Sequence, residues 1–588
     1  MIKPNTIIDL VRLRAECGPA NRAYTFLSDG EEEEGSITYS ELEYRSRAVA
    51  AWLQTKVQAG DRVLLLLPPG LEYLTAFFGC LFAGVIAVPA YPPKRRSSRS
   101  DGRIEAIVRD SVPSLILTSS SARIKHDPND PPNRFCGIPW AEEESIPSEL
   151  AEEWSAPLVT AASLAFIQYT SGSTSLPKGV MVSHENLLHN QLMIQEACQH
   201  DSRSTFVSWL PLYHDMGLVG NVLQPLFIGA PCILMSPAVF VQKPVRWLRA
   251  ITKYRAHTSG GPNFAYDLCV CKIPHHEREG LDLSSWTVAF NGAEPVRQET
   301  IDQFSWEFGN YGFNPATLSP CYGLAEASLI VSCKPRLEMP TSICLDPRMV
   351  EKRHLQTVAS PDDLKQTVVS CGPPVINTEI VIVDPDTCMP CPPASIGEVW
   401  ISGPSVAQGY WNRPQESEDT FRARLAVEDP RRFLRTGDLG FIDDGELYII
   451  GRLKDLIIIR GLNHCAEDLE WSAQQCSLRI GSTAAFSIEA EGEEKLVLVL
   501  EAQSASPDED DHLVASIRQA LSELHEVQAH AIVFVRPGCL PRTSSGKIQR
   551  GLCRKLFLQG DLKPVLHSPQ QAPIAYIGQH LAETGRTL

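Results

Sequence analysis

The sequence predicts an α/β protein. A large N-terminal domain of layered sheets and helices precedes a small α+β domain. Three observations lead there. The chain has 588 residues, too many for one hydrophobic core. Through most of its length, short apolar β-branched runs alternate with helix-period patterns, the mark of largely parallel sheets covered by helices. Around Gly451 to Gly461 this pattern gives way to a smaller acidic unit with a strand at Leu496–Leu500, a helix at Leu513–Leu524 and a strand at Ala531–Val535. The division is therefore placed at Lys454, giving domains 1–453 and 454–588.

Each element follows from local chemistry. Glu31–Glu34 reads as a solvated loop. Thr38 to Leu53 has helical spacing, with Ser40 as the candidate cap. Arg62–Leu67 lies between Gly60-Asp61 and Pro68-Pro69, as a buried strand should. Leu74 to Tyr91 carries no charge and is long enough to cross a membrane. Gly79, Gly84 and Pro89 interrupt it, however, and Val85–Val88 is rich in β-branched residues. A buried helix, a glycine turn and a short strand fit better, so no stable membrane insertion is expected. Ser114–Thr118, Cys232–Met235 and Thr287–Phe290 read as further buried strands. Pro92–Ser100 and Asn129–Pro132 are connections, and His275-His276 reads as a helix start. The tail from about Asp561 is loosely held.

Composition excludes several functions. Hydrophobic residues are 43% and charged residues 21%, as in ordinary globular proteins. With 53 Lys+Arg against 70 Asp+Glu, the net charge is −17. That opposes sequence-independent binding to nucleic acid and charge-driven docking on anionic lipid. The 17 cysteines lack a framework spacing, and Met1–Thr6 carries no long apolar core. A cytoplasmic setting with reduced thiols is expected. Cys388-x-x-Cys391 stands alone, with no second pair at zinc-finger spacing.

The chemistry concentrates in Tyr169-Thr170-Ser171-Gly172-Ser173-Thr174-Ser175-Leu176-Pro177-Lys178-Gly179, which follows the apolar run Leu164–Ile167. A strand that ends in small hydroxyl and glycine residues can turn its N–H groups onto phosphate oxygens, and Lys178 adds charge. The Gly-Lys-Ser/Thr ending of a Walker loop is missing.

This string resembles the phosphate loop of the adenylate-forming superfamily of acyl-CoA synthetases, luciferases and adenylation domains, with Ser175 where glycine is common. The resemblance continues in the family's order. Asn291-Gly292-Ala293-Glu294-Pro295 resembles the adenine loop, and Tyr322-Gly323-Leu324-Ala325-Glu326 the aromatic-Gly-x-x-Glu segment. Arg435-Thr436-Gly437-Asp438 resembles the ribose segment, Gly451–Asp455 the hinge, and Pro541–Lys547 the catalytic-lysine loop. The implied fold is the adenylate-forming fold, and the implied reaction joins a carboxylate to the α-phosphate of ATP.

The resemblance implies a role for each position. Thr170, Ser171, Gly172, Ser173, Thr174 and Lys178 would bind phosphates. The 291–295 and 322–325 segments would bind the nucleotide. Asp438, expected in a loop between strands, would accept the ribose hydroxyls, and Arg452 would reach ribose or phosphate. Glu326 would hold Mg²⁺, which takes one or two carboxylates plus phosphates and water. Lys547, otherwise a solvated surface lysine, would bridge the acyl carboxylate and the α-phosphate. Lys454 would be the hinge that swings it away for the second half-reaction.

Leu210–Leu218 aligns with the family's pocket floor, giving His214, Asp215, Met216 and Gly217 as acyl-pocket candidates, with His214 orienting the acyl carboxylate. Tyr213–Leu218, Ala87–Pro93 and an insertion near 335–371 resemble fatty acyl-AMP ligases specifically. Such enzymes pass a fatty acid to the phosphopantetheine thiol of an acyl carrier protein. Cys465-Ala466 departs from the usual aromatic-Pro pair of the thiol-transfer loop. The rival readings are a fatty acyl-CoA synthetase, an amino-acid adenylation domain and an inactive nucleotide- or acyl-binding module. The insertion opposes the first. The His-Asp-Met-Gly context of Asp215 opposes the second, and joint retention of Glu326, Asp438, Arg452 and Lys547 opposes the third.

Overall fold

In the computed structural model the described residues are 4–92, 98–123, 135, 137–170, 177–345, 366–459, 462–477, 479–490, 493–502, 507–525, 527–543 and 547–562. Ser171–Leu176, most of the 335–371 insertion, Ser544–Gly546, Asn129–Pro132, most of the Pro92–Ser100 connection and nearly all of the tail lie outside them.

Two sheets are mainly parallel, as the alternating pattern requires. One has eight strands, in the order Ile330–Cys333, Leu318–Gly323, Val288–Asn291, Thr258–Gly261, Phe206–Ser208, Cys232–Met235, Arg22–Leu27 and Glu33–Thr38. Only its two edge pairings are antiparallel. The other has six, in the order Trp140–Glu142, Leu115–Thr118, Arg62–Leu66, Ile86–Pro89, Leu164–Thr170 and Lys178–Ser183. A four-stranded antiparallel sheet, not foreseen from the pattern, runs Glu379–Val383, Gly397–Ser402, Leu434–Asp443, Glu446–Arg452. One apolar cluster joins all three sheets, taking Tyr24 and Leu234, Leu65 and Phe166, and Val399 and Leu434.

The uncharged stretch folds as expected. Leu71–Ala83 is a helix buried from Tyr73 onward. Gly84 caps it at φ 74°, donating to the Cys80 and Leu81 carbonyls, and Ile86–Pro89 follows as a buried strand. The left-handed φ is the reason for glycine there. Among the described residues no helix is long and apolar enough to cross a membrane. His275-His276 does start a short helix, His275–Glu277.

Two local expectations need correction. The helix cap is Thr38, not Ser40. Thr38 Oγ1 accepts from Glu41 N–H while the Glu41 carboxylate accepts from Thr38 N–H, a full capping box at the start of Tyr39–Gln54. Glu33 and Glu34 are not loop residues. They open the edge strand Glu33–Thr38, where Glu33 pairs with Leu27 and Glu34 lies at a shift in register.

Beyond Arg452, Leu456–Ile459 pairs with Leu462–Cys465, and Ile480–Ala490, Glu493–Ala502 and Ala529–Val535 form a mixed sheet. Leu496, Leu498 and Leu500 enter one apolar cluster, and Val497 and Val499 enter another. A strand buried on both faces explains that unbroken apolar run. The flanks of the insertion also pair, Ser342–Leu345 with Gln366–Val369.

Candidate active site

The ribose candidate is held by a cross-strand pair. Asp438 lies inside the strand Leu434–Asp443, directly opposite Arg452. It is therefore not in a loop; Gly437, at φ 69°, gave the sequence its turn-like look. Asp438 is 4% exposed. It accepts from Tyr322 Oη at 2.6 Å and Arg452 Nε at 2.8 Å. The charge of Asp438 holds the Arg452 guanidinium above its ordinary pKa, and burial together with Asp438 raises the Tyr322 phenol well above its own.

Beside this pair, the strand Val288–Asn291 ends in the 291–295 loop. A Cβ on Gly292 would stand 2.8 Å from the Cys321 carbonyl oxygen, so only glycine lets the two segments lie this close. Ala293 takes φ 76°, an uncommon backbone for a residue with a Cβ. Asn291 is fully buried. Its Nδ2 donates to Asn263 Oδ1 at 3.1 Å, and Asn263 Nδ2 donates to the Pro295 carbonyl at 2.8 Å, which ties down both ends of the loop. Asn291 Oδ1 has no partner among the described residues. Leu324 and Ala325 are buried behind Gly323, which ends its strand.

Glu326 sits in the short turn Ala325–Ala327, half-buried. Its Oε1 accepts from Tyr410 Oη at 2.8 Å. The ring of Tyr410 carries the Lys178 ammonium 4.9 Å from its centroid, and Lys178 Nζ is 2.5 Å from Glu416 Oε2. Thr170 pairs with Lys178 across the strands that bracket the phosphate loop. Ser171, Gly172, Ser173 and Thr174 lie outside the described residues. Tyr410 and Glu416 were missed by sequence reasoning. The Gly409-Tyr410-Trp411 string was the available signal, but its pairing with Val180 is tertiary.

The acyl-side candidates cluster at the helix Asp215–Leu218. His214 is half-buried, with Nδ1 3.3 Å from Asp215 Oδ1, and the same oxygen accepts from Met216 N–H at 2.8 Å. Burial pushes the Asp215 carboxyl up, but His214, the Met216 N–H and the charge of Lys547 outweigh it, and its pKa lies below the ordinary value. A Cβ on Gly217 would fall 2.1 Å from the Pro211 carbonyl oxygen, which fixes the tight turn under the helix.

Lys547 comes to the same place from the other end of the chain. It is half-buried rather than free on the surface. Its loop is pinned by Thr543 N–H donating to the Lys547 carbonyl at 2.7 Å and Lys547 N–H donating to Thr543 Oγ1 at 3.0 Å. Desolvation, and then Arg452, lower the pKa of its amine, against the opposing charges of Glu294, Asp215 and Asp438. Lys454 is exposed in the turn Leu453–Asp455. Cys465 is buried at the start of the helix Ala466–Gln475, in the position where the family carries an aromatic residue.

A divalent cation fits the donor set. Glu326 engages one oxygen with Tyr410, and no cluster of three or more His, Cys, Asp or Glu forms a protein-only cage among the described residues. A single carboxylate is the arrangement Mg²⁺ takes when substrate phosphates and water complete its shell.

Residues 11–411 match the AMP-binding enzyme family, and residues 454–566 match the AMP domain of Disco-interacting protein 2-like proteins. The chain is similar to JamA of Moorena producens, a medium-chain-fatty-acid–[acyl-carrier-protein] ligase, at 45% identity over 96% of this chain and 97% of that protein. It is 36% identical to the long-chain-fatty-acid–AMP ligase FadD32 of Mycolicibacterium smegmatis, over 92% of each. Among solved structures it resembles a fatty acyl-adenylate ligase from L. pneumophila, in complex with acyl adenylate and pyrophosphate. The TM-score is 0.76 and the identity 42%, over 96% of this chain and 98% of that one.

Proposed function

The chain belongs to the AMP-binding enzyme family, and from that premise we propose that it is a fatty acyl-AMP ligase serving an acyl carrier protein. In the first half-reaction an oxygen of a medium- to long-chain fatty acid carboxylate bonds to the α-phosphorus of ATP, and pyrophosphate leaves. In the second, the phosphopantetheine thiol of the carrier attacks the acyl carbonyl, and AMP leaves. The observation that carries this reading is the 45% identity to a medium-chain-fatty-acid–[acyl-carrier-protein] ligase over 96% of this chain, beside a buried Asp438 held by Tyr322 and Arg452.

The residues divide the work. Asp438, steadied by Tyr322 and Arg452, accepts the ribose hydroxyls. Asn291–Pro295 and Tyr322–Ala325 shape the base pocket, and Thr170–Thr174 with Lys178 hold the phosphates. His214, oriented by Asp215, faces the acyl carboxylate above Met216 and Gly217. Lys547 stands between two anions whose repulsion peaks as they bond, so it stabilises the transition state more than the ground state. Mg²⁺, held by Glu326, supplies further neutralisation of phosphate charge when bound.

Residues 1–453 act as the large domain and 454–588 as the small one, with rotation at Lys454 exchanging Lys547 for the acceptor thiol. The similarity to medium-chain-fatty-acid–[acyl-carrier-protein] ligases supports a carrier acceptor over free CoA. Leu345 and Val368, in the flanks of the insertion, pack in one cluster with Tyr448, Leu456 and Cys465, on either side of the hinge. The reaction takes place in the cytoplasm. The test is fatty-acid-dependent ATP–pyrophosphate exchange over a panel of chain lengths, followed by product analysis with CoA or a holo carrier protein. Exchange with fatty acids, little acyl-CoA and rapid carrier loading are expected. Acyl-CoA formed as fast as acyl-adenylate would make the chain a synthetase, and no exchange with any acid would make it a binding module.

A further inference from the structure

The helix Ala466–Gln475 carries none of the predicted site residues, yet it touches two residues that flank site segments, Arg297 and Arg550. At one side, Trp471 lies under the Arg297 guanidinium, 5.0 Å from ring centroid to carbon. Arg297 lies two residues beyond the 291–295 loop, at the N-terminal end of the helix Gln298–Phe308. At the other side, Glu467 and Glu470 grip Arg550. Its Nη1 is 2.7 Å from Glu467 Oε1, its Nε 2.6 Å from Glu470 Oε1, and its Nη2 2.8 Å from Glu470 Oε2. Arg550 Nη1 also reaches Asp455 Oδ2 at 3.1 Å, next to Lys454. Arg550 stands three residues beyond Lys547 and opens the helix Arg550–Leu558.

We propose that Trp471 and Arg550 are positioning residues for Lys547. They make Ala466–Gln475 a seat that docks on Arg297 and delivers the lysine for adenylation alone. The inference rests on the two half-reactions proposed above. Arg550 is a rigid link, because a planar guanidinium shared by three carboxylates fixes direction as well as distance. The Trp471 contact is a releasable one. A stacked, partly exposed cation–π pair is weak enough to break when the small domain turns and specific enough to set register while it lasts. Lys547 therefore reaches the α-phosphate when Trp471 is seated and leaves when it is not.

The experiment separates the half-reactions in the full-length protein. Trp471→Ala should lower ATP–pyrophosphate exchange about five- to thirty-fold, the range a pair of this kind supports. ATP affinity should hold, as should carrier loading from preformed acyl-adenylate. Trp471→Phe should restore most of the exchange rate. Arg550→Lys, which keeps the charge and loses the fork, should depress exchange in the same selective way. Exchange within twofold of wild type in Trp471→Ala, or an equal fall in both half-reactions, would overturn the proposal. Absence of exchange in the wild-type protein would instead overturn the ligase reading on which it rests.

Discussion

Replacing Asp438 by Asn tests the ribose assignment with almost no change of shape. Asp438 is 4% exposed and its carboxylate receives two donors, Tyr322 Oη at 2.6 Å and Arg452 Nε at 2.8 Å. The amide keeps one acceptor for Arg452 but turns an N–H toward the phenol, which must then accept. Exchanging a charge-assisted hydrogen bond for a neutral one costs about 1–1.5 kcal/mol. Arg452 has a side chain 42% exposed, so water recovers most of its lost pairing, leaving roughly 0–1 kcal/mol. Stability should fall by about 1–2.5 kcal/mol. Nucleotide affinity should fall further, because both ribose hydroxyls lose an anionic acceptor, giving roughly 10–100-fold weaker ATP binding. Tyr322→Phe is the control. It should bring a similar loss of stability with ATP affinity kept within about threefold, since the carboxylate remains. Calorimetric ATP titration beside thermal unfolding measures both. An Asp438→Asn protein that is destabilised but binds ATP normally would reduce Asp438 to a strap between strands and refute the ribose role.

Three other outcomes are expected. Lys547→Ala should slow adenylate formation on the order of 10²–10³-fold, the cost of one preorganised charge donor. Transfer from preformed adenylate should be untouched. Because its amine pKa is lowered from 10.5, by desolvation and then Arg452, the alkaline limb of the wild-type rate should fall below that value; a limb at or above it would contradict the placement. Lys178→Ala should weaken ATP binding as well as slow the reaction. Glu416→Gln, which releases Lys178 from its 2.5 Å ion pair, should tighten ATP, and matching losses in both variants would argue against a phosphate role. Finally, Glu143 is buried, accepts from Thr75 Oγ1 at 2.6 Å, and is pushed up to about 7, mainly by burial. A carboxyl raised in the native state stabilises below its unfolded value near 4.5, and that contribution is lost as pH rises through about 7. The gain in melting temperature of Glu143→Gln over wild type should therefore grow from pH 4 to pH 8, and a constant difference would show that Glu143 ionises freely.

Where the sequence was legible, one residue type had one physical use. The run Leu496–Leu500 could only be a strand buried on both faces, and Gly84 could only end a helix. Reading stopped where neighbours decide. Thr38 and Ser40 are equally good caps in isolation, and Glu41 three residues on selects Thr38. Thr-Gly-Asp looks like a turn until Arg452 is seen opposite Asp438 in the sheet. Tyr410 finds Glu326 across 84 residues of sequence, a meeting that no local pattern encodes. Trp471 and Arg550 were hidden for the same reason, since each is an ordinary helix residue until its partner arrives from another segment.

The hydrogen bond from Tyr322 to Asp438 joins the eight-stranded parallel sheet to the four-stranded antiparallel one. If Asp438 holds the ribose as proposed, the nucleotide binds an object that neither sheet forms alone. ATP bound there would then stabilise the assembled state in proportion to the logarithm of its concentration. Cellular ATP would in this sense be a folding ligand. When nucleotide is depleted, the unliganded protein loses substrate and thermodynamic protection together, and the ligase becomes easier to unfold and degrade just when it has nothing to activate.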